Sequence, residues 1–516
     1  MMNNNIMNIP KEKFEFVSRS EKIHDQKFDT KPIGYFKDAW IRFRKNKSSV
    51  AAFVIIMILV VFAIVGPFLT PYKLSDREGN YMGALPKSKF FSQFGFWDGT
   101  SMRTDTKAGF DYYNSIGFES GMDAVVGDPE VFQTADGGTS YTFRVDSYYK
   151  VGYTYENLTK DQYEAIKKYQ NDKKIQILYP IPLTFNNKYN IGNSGANLWY
   201  KLVDESEDTT GAAVYDENGN YIPNYMTTEN YKTVKVAIDK NYDSERIEGD
   251  DGTYAYAVKV QGGQLKVRLN YYEYYKMLHD GREPSYIFGA NGQGQDILCC
   301  LANGARLSFI LALVVSIINL TIGAIYGAIE GYYGGTIDII MERVSDILAS
   351  VPFMVVATLF QMHLADEVGV LPSLLFAFVL TGWIGMAGRV RMQFYRFKGQ
   401  EYVLAARTLG AKDMRIMFKH IFPNSLGTII TGSVLVIPGV IFSESMLTFL
   451  GIIDLKTSPD LMSIGTMLNE GNDYLTSHPH ILLFPAIFIA LLEISFNLFG
   501  NGLRDAFNPS LRGSED

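Results

Sequence analysis

Six apolar runs, at roughly 50–70, 307–329, 347–364, 371–390, 426–448 and 481–500, are each long enough to cross the hydrocarbon core of a bilayer. In lipid a backbone must satisfy its own polar groups, and a helix of this length does so. One such run alone could be a buried core helix. Six of them, in a chain whose other half is polar, specify a polytopic α-helical membrane protein. The first run, Ala51 to Thr70, carries no charge. It starts too deep in the chain for a cleaved signal, after thirty polar residues in which Lys11, Lys13, Arg19 and Lys22 are scattered among acids.

The charges flanking the runs give an orientation. Arg42, Arg44, Lys45 and Lys47 precede the first run, and 389–424 carries Arg389, Arg391, Arg396, Lys398, Arg407, Lys412, Arg415 and Lys419. Segment 365–370 has no base, and 451–480 has only Lys456. Lys and Arg favour the cytoplasmic side, so both termini and 389–424 are expected inside. Segment 330–346 fits least well, because its one base is Arg343. The expected organisation is a cytoplasmic segment over 1–49, a first span over 50–70, an extracytoplasmic insertion over 73–285, a helical membrane core over 286–500 with the other five spans, and a cytoplasmic tail over 501–516. Within the first segment, Ile33, Phe36, Trp40 and Phe43 fall at helical spacing, the pattern of an amphipathic helix on the inner leaflet or against a partner.

Segment 73–285 is too long for a plain loop. Residues 253–275 read as a β-hairpin turning at Gly262–Gly263, and 141–155 and 175–183 read as strands. Residues 159–173 read as a helix, with Thr159 as N-cap and Gln162 completing a capping box. An α+β, mostly β, domain is expected. Its 24 bases and 31 acids account for the whole net charge of −7, and no basic patch points to nucleic acid. Its tyrosine clusters, Tyr148–Tyr149, Tyr153, Tyr155 and Tyr271–Tyr275, suit an interface, though alternation along strands would turn half of the rings inward. The two cysteines, Cys299 and Cys300, are adjacent and imply no disulfide framework.

There is no Gly-x4-Gly-Lys-Ser/Thr loop, no His-Glu-x-x-His and no Gly-x-Ser-x-Gly. No catalytic constellation, metal site or bound cofactor is expected, and the chain does not read as an enzyme. The informative stretch is 400–424, QEYVLAARTLGAKDMRIMFKHIFPN. Residues 401–409 are strong helix formers, and Gly410 can end the helix. Val403, Ala406 and Leu409 can share one face, with Arg407 and Thr408 on another. Such a short helix fits a groove on a partner or lies at an interface. Within the spans, Glu444 near the outer end of the fifth and Glu493 in the sixth are functional candidates, because acids are costly in lipid. Pro438–Gly439 can break the fifth helix where it lines a cavity, and Pro352 and Pro485 can kink theirs.

Ala405-Ala406-x3-Gly410, followed by Pro423, resembles the coupling loop of ABC importer permeases. GARLS at 304–308, GYYGGTIDIIMERVSDILASVP at 331–352, ESMLTFLG at 444–451 and NLFGNGLRDAFNP at 497–509 agree in order and spacing. Together they resemble the C-type permease subunit of dipeptide and oligopeptide importers, over 33–72 and 286–512. Four features depart from the pattern: Leu404 stands where the general motif has Glu, GANGQGQD at 289–296 replaces a GTDxxGRD-like segment, Asn501 and Asn508 stand where acids are usual, and 73–285 is an addition.

The resemblance implies a sister permease forming a heterodimer, two cytosolic ATP-binding subunits that hydrolyse ATP, and an extracytoplasmic peptide-binding lipoprotein or periplasmic protein. It also implies that Tyr402, Ala405, Ala406, Arg407, Gly410, Ala411, Lys412 and Pro423 couple to the ATPases. Pro438, Glu444 and Glu493 are the path candidates. Nickel or another small solute is the alternative cargo. A membrane sensor is the alternative class, disfavoured by the absence of an inside signalling domain.

Overall fold

The computed structural model describes residues 34–117, 120–134, 137–182, 196–197, 214–215, 221–222, 254–453, 455 and 461–507. The expectations for the first 33 residues, for the tail beyond 507 and for much of 183–253 lie outside the described residues.

The apolar runs form helices, several longer than the runs themselves. Helix α1 is Tyr35–Lys45 and α2 is Lys47–Leu69. After a β-rich region come α6 (Ile297–Tyr333), α7 (Gly335–Ala349), α8 (Phe353–Val368), α9 (Val370–Gly382), α10 (Ile384–Phe397), α11 (Glu401–Thr408), α12 (Asp413–Phe449), α13 (Ile464–Asp473) and α14 (His480–Phe507). Five helical stretches, α2, α6, α9 with α10, α12 and α14, are long and apolar enough to cross a membrane. A sixth exists only if α7 and α8, bent by 70° at their break, are taken as one. The run expected at 347–364 therefore straddles a corner. Pro352 caps α8 and cannot continue α7, so the chain turns there.

The bundle is held at close range by a glycine ridge. Gly323, Gly327 and Gly331 recur every four residues on α6 and face α10. A Cβ on Gly323 would lie 2.7 Å from the Trp383 carbonyl, one on Gly331 2.7 Å from the Arg391 carbonyl, and one on Gly327 would collide with the Ala387 carbonyl. Between apolar helices in lipid there is no hydrophobic drive to associate, and small residues that admit backbone contact supply the packing instead.

The region between α2 and α6 is α+β. Strands β1 (Thr100–Thr106), β2 (Val125–Gln133) and β3 (Thr139–Asp146) form an antiparallel sheet in the order β1-β3-β2. Strands β4 (Tyr153–Leu158), β10 (Val258–Lys259) and β11 (Leu265–Asn270) form a second, ordered β10-β11-β4, with β5 (Leu178–Tyr179) also on β11. Further short pairs join β6 (Ile181–Pro182) to β9 (Tyr254–Ala255), and β7 (Val214–Tyr215) to β8 (Tyr221–Ile222). Helices α3 (Lys107–Ser115), α4 (Lys160–Lys173) and α5 (Tyr271–Leu278) complete it.

The capping box at Thr159 and Gln162 is present, and the hairpin turns through Gly262 and Gly263, both with positive φ. Two strand expectations need correction. The stretch 141–155 is two strands, broken at Ser147–Gly152, where Gly152 takes φ 60°. The hairpin's second strand stops at Asn270, whose side chain caps α5 by accepting from the Glu273 amide, so Tyr271–Tyr275 are helical. Most of the tyrosines offered for an interface are core: Tyr148, Tyr271, Tyr272 and Tyr275 are buried in a cluster that also takes in Tyr72, Tyr81 and Tyr286 from the segments flanking the spans, and Tyr153 is buried against Tyr179. Buried Arg268 donates to the carbonyls of Ala196 and Pro180 and stacks over Tyr153 at 4.1 Å.

Gly327→Ala adds one methyl against backbone that cannot swing aside. Overpacking of this kind costs about 1–3 kcal/mol. The purified variant is expected to unfold at a clearly lower temperature in detergent, whereas Gly385→Ala, with open space around its α-carbon, should melt like the parent. Equal melting of the two variants would refute the close-packed ridge.

Candidate coupling site and the buried acids

Helix α11 follows α10 after a short turn and is seated by one face only. Val403 is fully buried, packed with Phe394, Ile416, Met417 and Ile421, and Ala406 is nearly so. The helix ends in a paired turn: the Ala411 amide donates to the Ala406 carbonyl and the Gly410 amide to the Arg407 carbonyl, with Gly410 at φ 81°. These two bonds make a Schellman motif, which needs a left-handed residue at the Gly410 position. Ala411, just past the turn, is partly buried, and Leu409, the residue before Gly410, faces outward.

Leu409 is 88% exposed, which corrects its expected place beside Val403 and Ala406. Leu404 is also exposed, with Met414 just beyond the turn. Tyr402, Ala405, Arg407, Thr408, Gly410, Lys412 and Pro423 all face outward. Of the coupling candidates, then, Ala406 and Ala411 support the element from below, and the others present it.

Polar ties hold this element to the bundle. The Tyr332 hydroxyl, at the end of α6, donates to Asp413 Oδ1 at 2.6 Å, and Arg407 reaches the same hydroxyl at 3.4 Å. Asn424 donates to the Tyr402 hydroxyl at 3.3 Å. Partial burial pushes the Tyr402 phenol above its ordinary range, and the Asn424 bond acts in the opposite sense. Residues Ile416–Ile421 are a π-helical turn running into Phe422–Val434. Pro423 has no N–H to return to the preceding turn, which suits a locally widened helix there.

One turn above, Arg391 of α10 is clamped by acids. Its guanidinium donates to both oxygens of Asp338, at 2.6 and 3.0 Å, and to both oxygens of Glu342, at 3.0 and 3.1 Å. Glu330 lies 3.6 Å away, and Tyr395 donates to Asp338. Sequence reading missed this cluster. Its signal was the lone Arg343 of 330–346, a segment rich in acids with a base supplied from α10.

The three path candidates are not brought together as one constellation. Glu444 is fully buried and accepts from Ser308 of α6 at 2.8 Å and from Ser445 at 3.4 Å, so it ties two helices internally instead of lying at a membrane interface. Glu493 is half-buried on α14, and its Oε1 has no hydrogen-bond partner. Pro438 is buried in the first turn after a break at Leu435, so the helix gives way just before the proline. Cys299 and Cys300 are free and buried. No group of three or more metal-ligating side chains occurs among the described residues.

Contacts define the two ends of the bundle. At one end Ala39 and Phe43 of α1 pack on Ala506 of α14, and Ser49 Oγ donates to the Leu498 carbonyl. Arg389 and Arg396 of α10 line a cavity with Arg504 and Phe507 of α14, so α11 departs from this same end. At the other end Gly83 abuts the His478 ring and Gly289 the His480 ring, where α14 begins beneath the β-rich region.

The family described as "Binding-protein-dependent transport system inner membrane component" matches residues 319–513, and "N-terminal TM domain of oligopeptide transport permease C" matches 34–86. The oligopeptide transport system permease protein OppC of Bacillus subtilis is 42% identical over 46% of this chain and 76% of its own length. The dipeptide transport system permease protein DppC of the same organism is 40% identical over 44% of this chain and 69% of its own. A glutathione transport system permease protein, GsiD of Pectobacterium atrosepticum, is 30% identical over 47% and 78%. Among solved structures, a chain of the MetNI methionine ABC transporter aligns with 40% of this chain and 96% of its own, at 15% identity and a TM-score of 0.32.

Glu444→Ala removes the acceptor of Ser308 and leaves a void, and should cost about 1–3 kcal/mol, the range for a buried donor left unpaired. Glu444→Gln keeps an acceptor and should cost less. Thermal unfolding of both variants in detergent checks the order, and an Ala variant as stable as the parent would show that the contact carries nothing.

Proposed function

The chain belongs to the family of binding-protein-dependent transport permeases that includes the oligopeptide and dipeptide importers, and on that footing we propose that it forms half of a peptide translocation path and is driven through α11. The observation that carries the coupling role is the outward display of Leu404 and Leu409 on a short helix whose other face is locked to the bundle. An exposed apolar pair on a rigid support outside the spans is suited to a partner's groove.

In this reading α11 docks on one of two cytosolic ATP-binding subunits, which hydrolyse the ATP, and this chain binds no cofactor of its own. A sister permease completes the path, and an extracytoplasmic binding protein delivers the cargo. Short peptides are the cargo class, in keeping with relatives named for oligopeptides, dipeptides and glutathione. The end bearing α1, α11 and the close of α14 is cytoplasmic, as the arginines and lysines around it favour. Residues 73–285 are then extracytoplasmic, between the first two spans of six. Force applied at α11 passes to α12 through Asp413 and to α6 through Tyr332. Among the path candidates Glu493 suits contact with cargo best, because its side chain is only half-buried, while Glu444 and Pro438 are buried among the helices.

Leu409→Glu puts a charge into the docking contact without disturbing the chain's own core, and Gly410→Arg forces a side chain into a left-handed position. Both should reduce labelled-peptide uptake at least tenfold, on the scale of about 1.4 kcal/mol or more for a buried unpaired charge, with the protein still in the membrane. Gly410→Cys should label only from the cytoplasmic side and Asn220→Cys only from outside. Normal uptake by both mutants would remove α11 from the mechanism, and outside labelling at 410 would reverse the topology.

A further inference from the structure

Helix α10 carries arginines on two faces, and the fold treats them differently. Arg391 is neutralised by Asp338 and Glu342. Arg389 and Arg396, on the other side, have no carboxylate within ion-pairing distance among the described residues, and neither does Arg504 on the last turn of α14. These three arginines line one cavity of about 380 Å³, together with Gln393, Leu435 and Phe507.

Arg389 is held across α12 by a bond of 3.0 Å to the Gly432 carbonyl. It can lie there because Gly432 has no side chain: a Cβ would sit 2.8 Å from the Arg389 Nη1. Only one of its donors is used in this bond, and the remaining ones are left for the cavity. Arg389 and Arg396 are seven residues apart, about 10 Å along the helix axis. The cavity therefore carries cations at two levels along α10, beside apolar contacts from Leu435 and Phe507.

We propose that this cavity is an anion site for a phosphate group, and specifically that it seats the phosphodiester headgroup of an anionic lipid of the inner leaflet. Guanidinium groups bind phosphate through paired N–H donors. Basic pockets between membrane helices on the cytoplasmic side take anionic headgroups. Leu435 and Phe507 supply apolar contact for the glycerol and the upper acyl chain. The inner-leaflet placement rests on the orientation proposed above. The binding itself does not, so the two can fail separately.

The test uses the full chain purified with its co-expressed partner subunits, stripped of loose lipid in mild detergent and titrated with phosphatidylglycerol or phosphatidylcholine under native mass spectrometry. Phosphatidylglycerol should be retained in preference to phosphatidylcholine. Arg389→Gln with Arg504→Gln should lose that preference by about fivefold per arginine. Arg389→Lys with Arg504→Lys should keep much of it, because the charges remain, and this pair guards against a folding defect in the first. Equal retention of both lipids, or an unchanged preference in the Gln pair, would overturn the proposal. Displacement of the lipid by millimolar inorganic phosphate would assign the site to free phosphate and overturn the lipid reading.

Discussion

The approach of α6 to α10, permitted by three glycines, is the contact on which the rest of this bundle depends. Without side chains at Gly323, Gly327 and Gly331 the two backbones touch. That proximity brings Arg391 within reach of Glu330 at the end of α6, and so of Asp338 and Glu342 beyond it. It also brings Tyr332 over the start of α12, where it meets Asp413. Any side chain at Gly327 would widen the gap and loosen both sets of bonds. The close packing is thus a positioning device as much as a source of stability.

Arg391 faces three carboxylates and so sits in a cluster with excess negative charge. Removing the arginine would leave Glu330, Asp338 and Glu342 without the cation that draws them together, at a cost that solvent limits because the guanidinium and Glu342 are partly exposed. Bidentate geometry to both Asp338 and Glu342 fixes α7 against α10 in one register. The bend between α7 and α8 lies at the far end of α7 from this clamp. One end of α7 is therefore pinned by charge and the other released by Pro352.

What the sequence made legible follows the strength of each local signal. Uncharged apolar length identified the bundle helices, because nothing else in a soluble chain produces it so often. The capping box at Thr159 and the glycine turn at 262–263 were readable because they are fixed by neighbours in sequence. The corner at Pro352 was legible as a kink, but not as a 70° break that divides the run expected at 347–364, since an apolar run looks the same on either side of a bend. Leu409 was misplaced because helical spacing was extended one residue past the end of the helix, where six residues at 3.6 per turn leave it about 120° round from Val403. Glu444 illustrates a different blindness. Its serine partner is on another helix, more than a hundred residues away, and no local pattern reports that.

The tyrosines of the β-rich region show how a composition signal can mislead about surface. Rings in adjacent pairs looked available because a strand would expose every second one. The chain instead ends the strand at Asn270 and starts a helix, which buries Tyr271, Tyr272 and Tyr275 together. They meet Tyr72, Tyr81 and Tyr286, so the aromatic cluster ties the region to the chain segments entering and leaving the bundle. A partner surface therefore has less to gain from these rings. Large apolar side chains that remain exposed among the described residues include Phe90, Phe94, Met102, Val131 and Phe132, on the turn before β1 and on β1 and β2 themselves, with Met82, Leu278 and Ile287 elsewhere in the region. Among the described residues the three-stranded sheet and its approach carry several of these side chains side by side, and a contact with another protein or with the membrane surface would draw on them before it drew on the buried tyrosines.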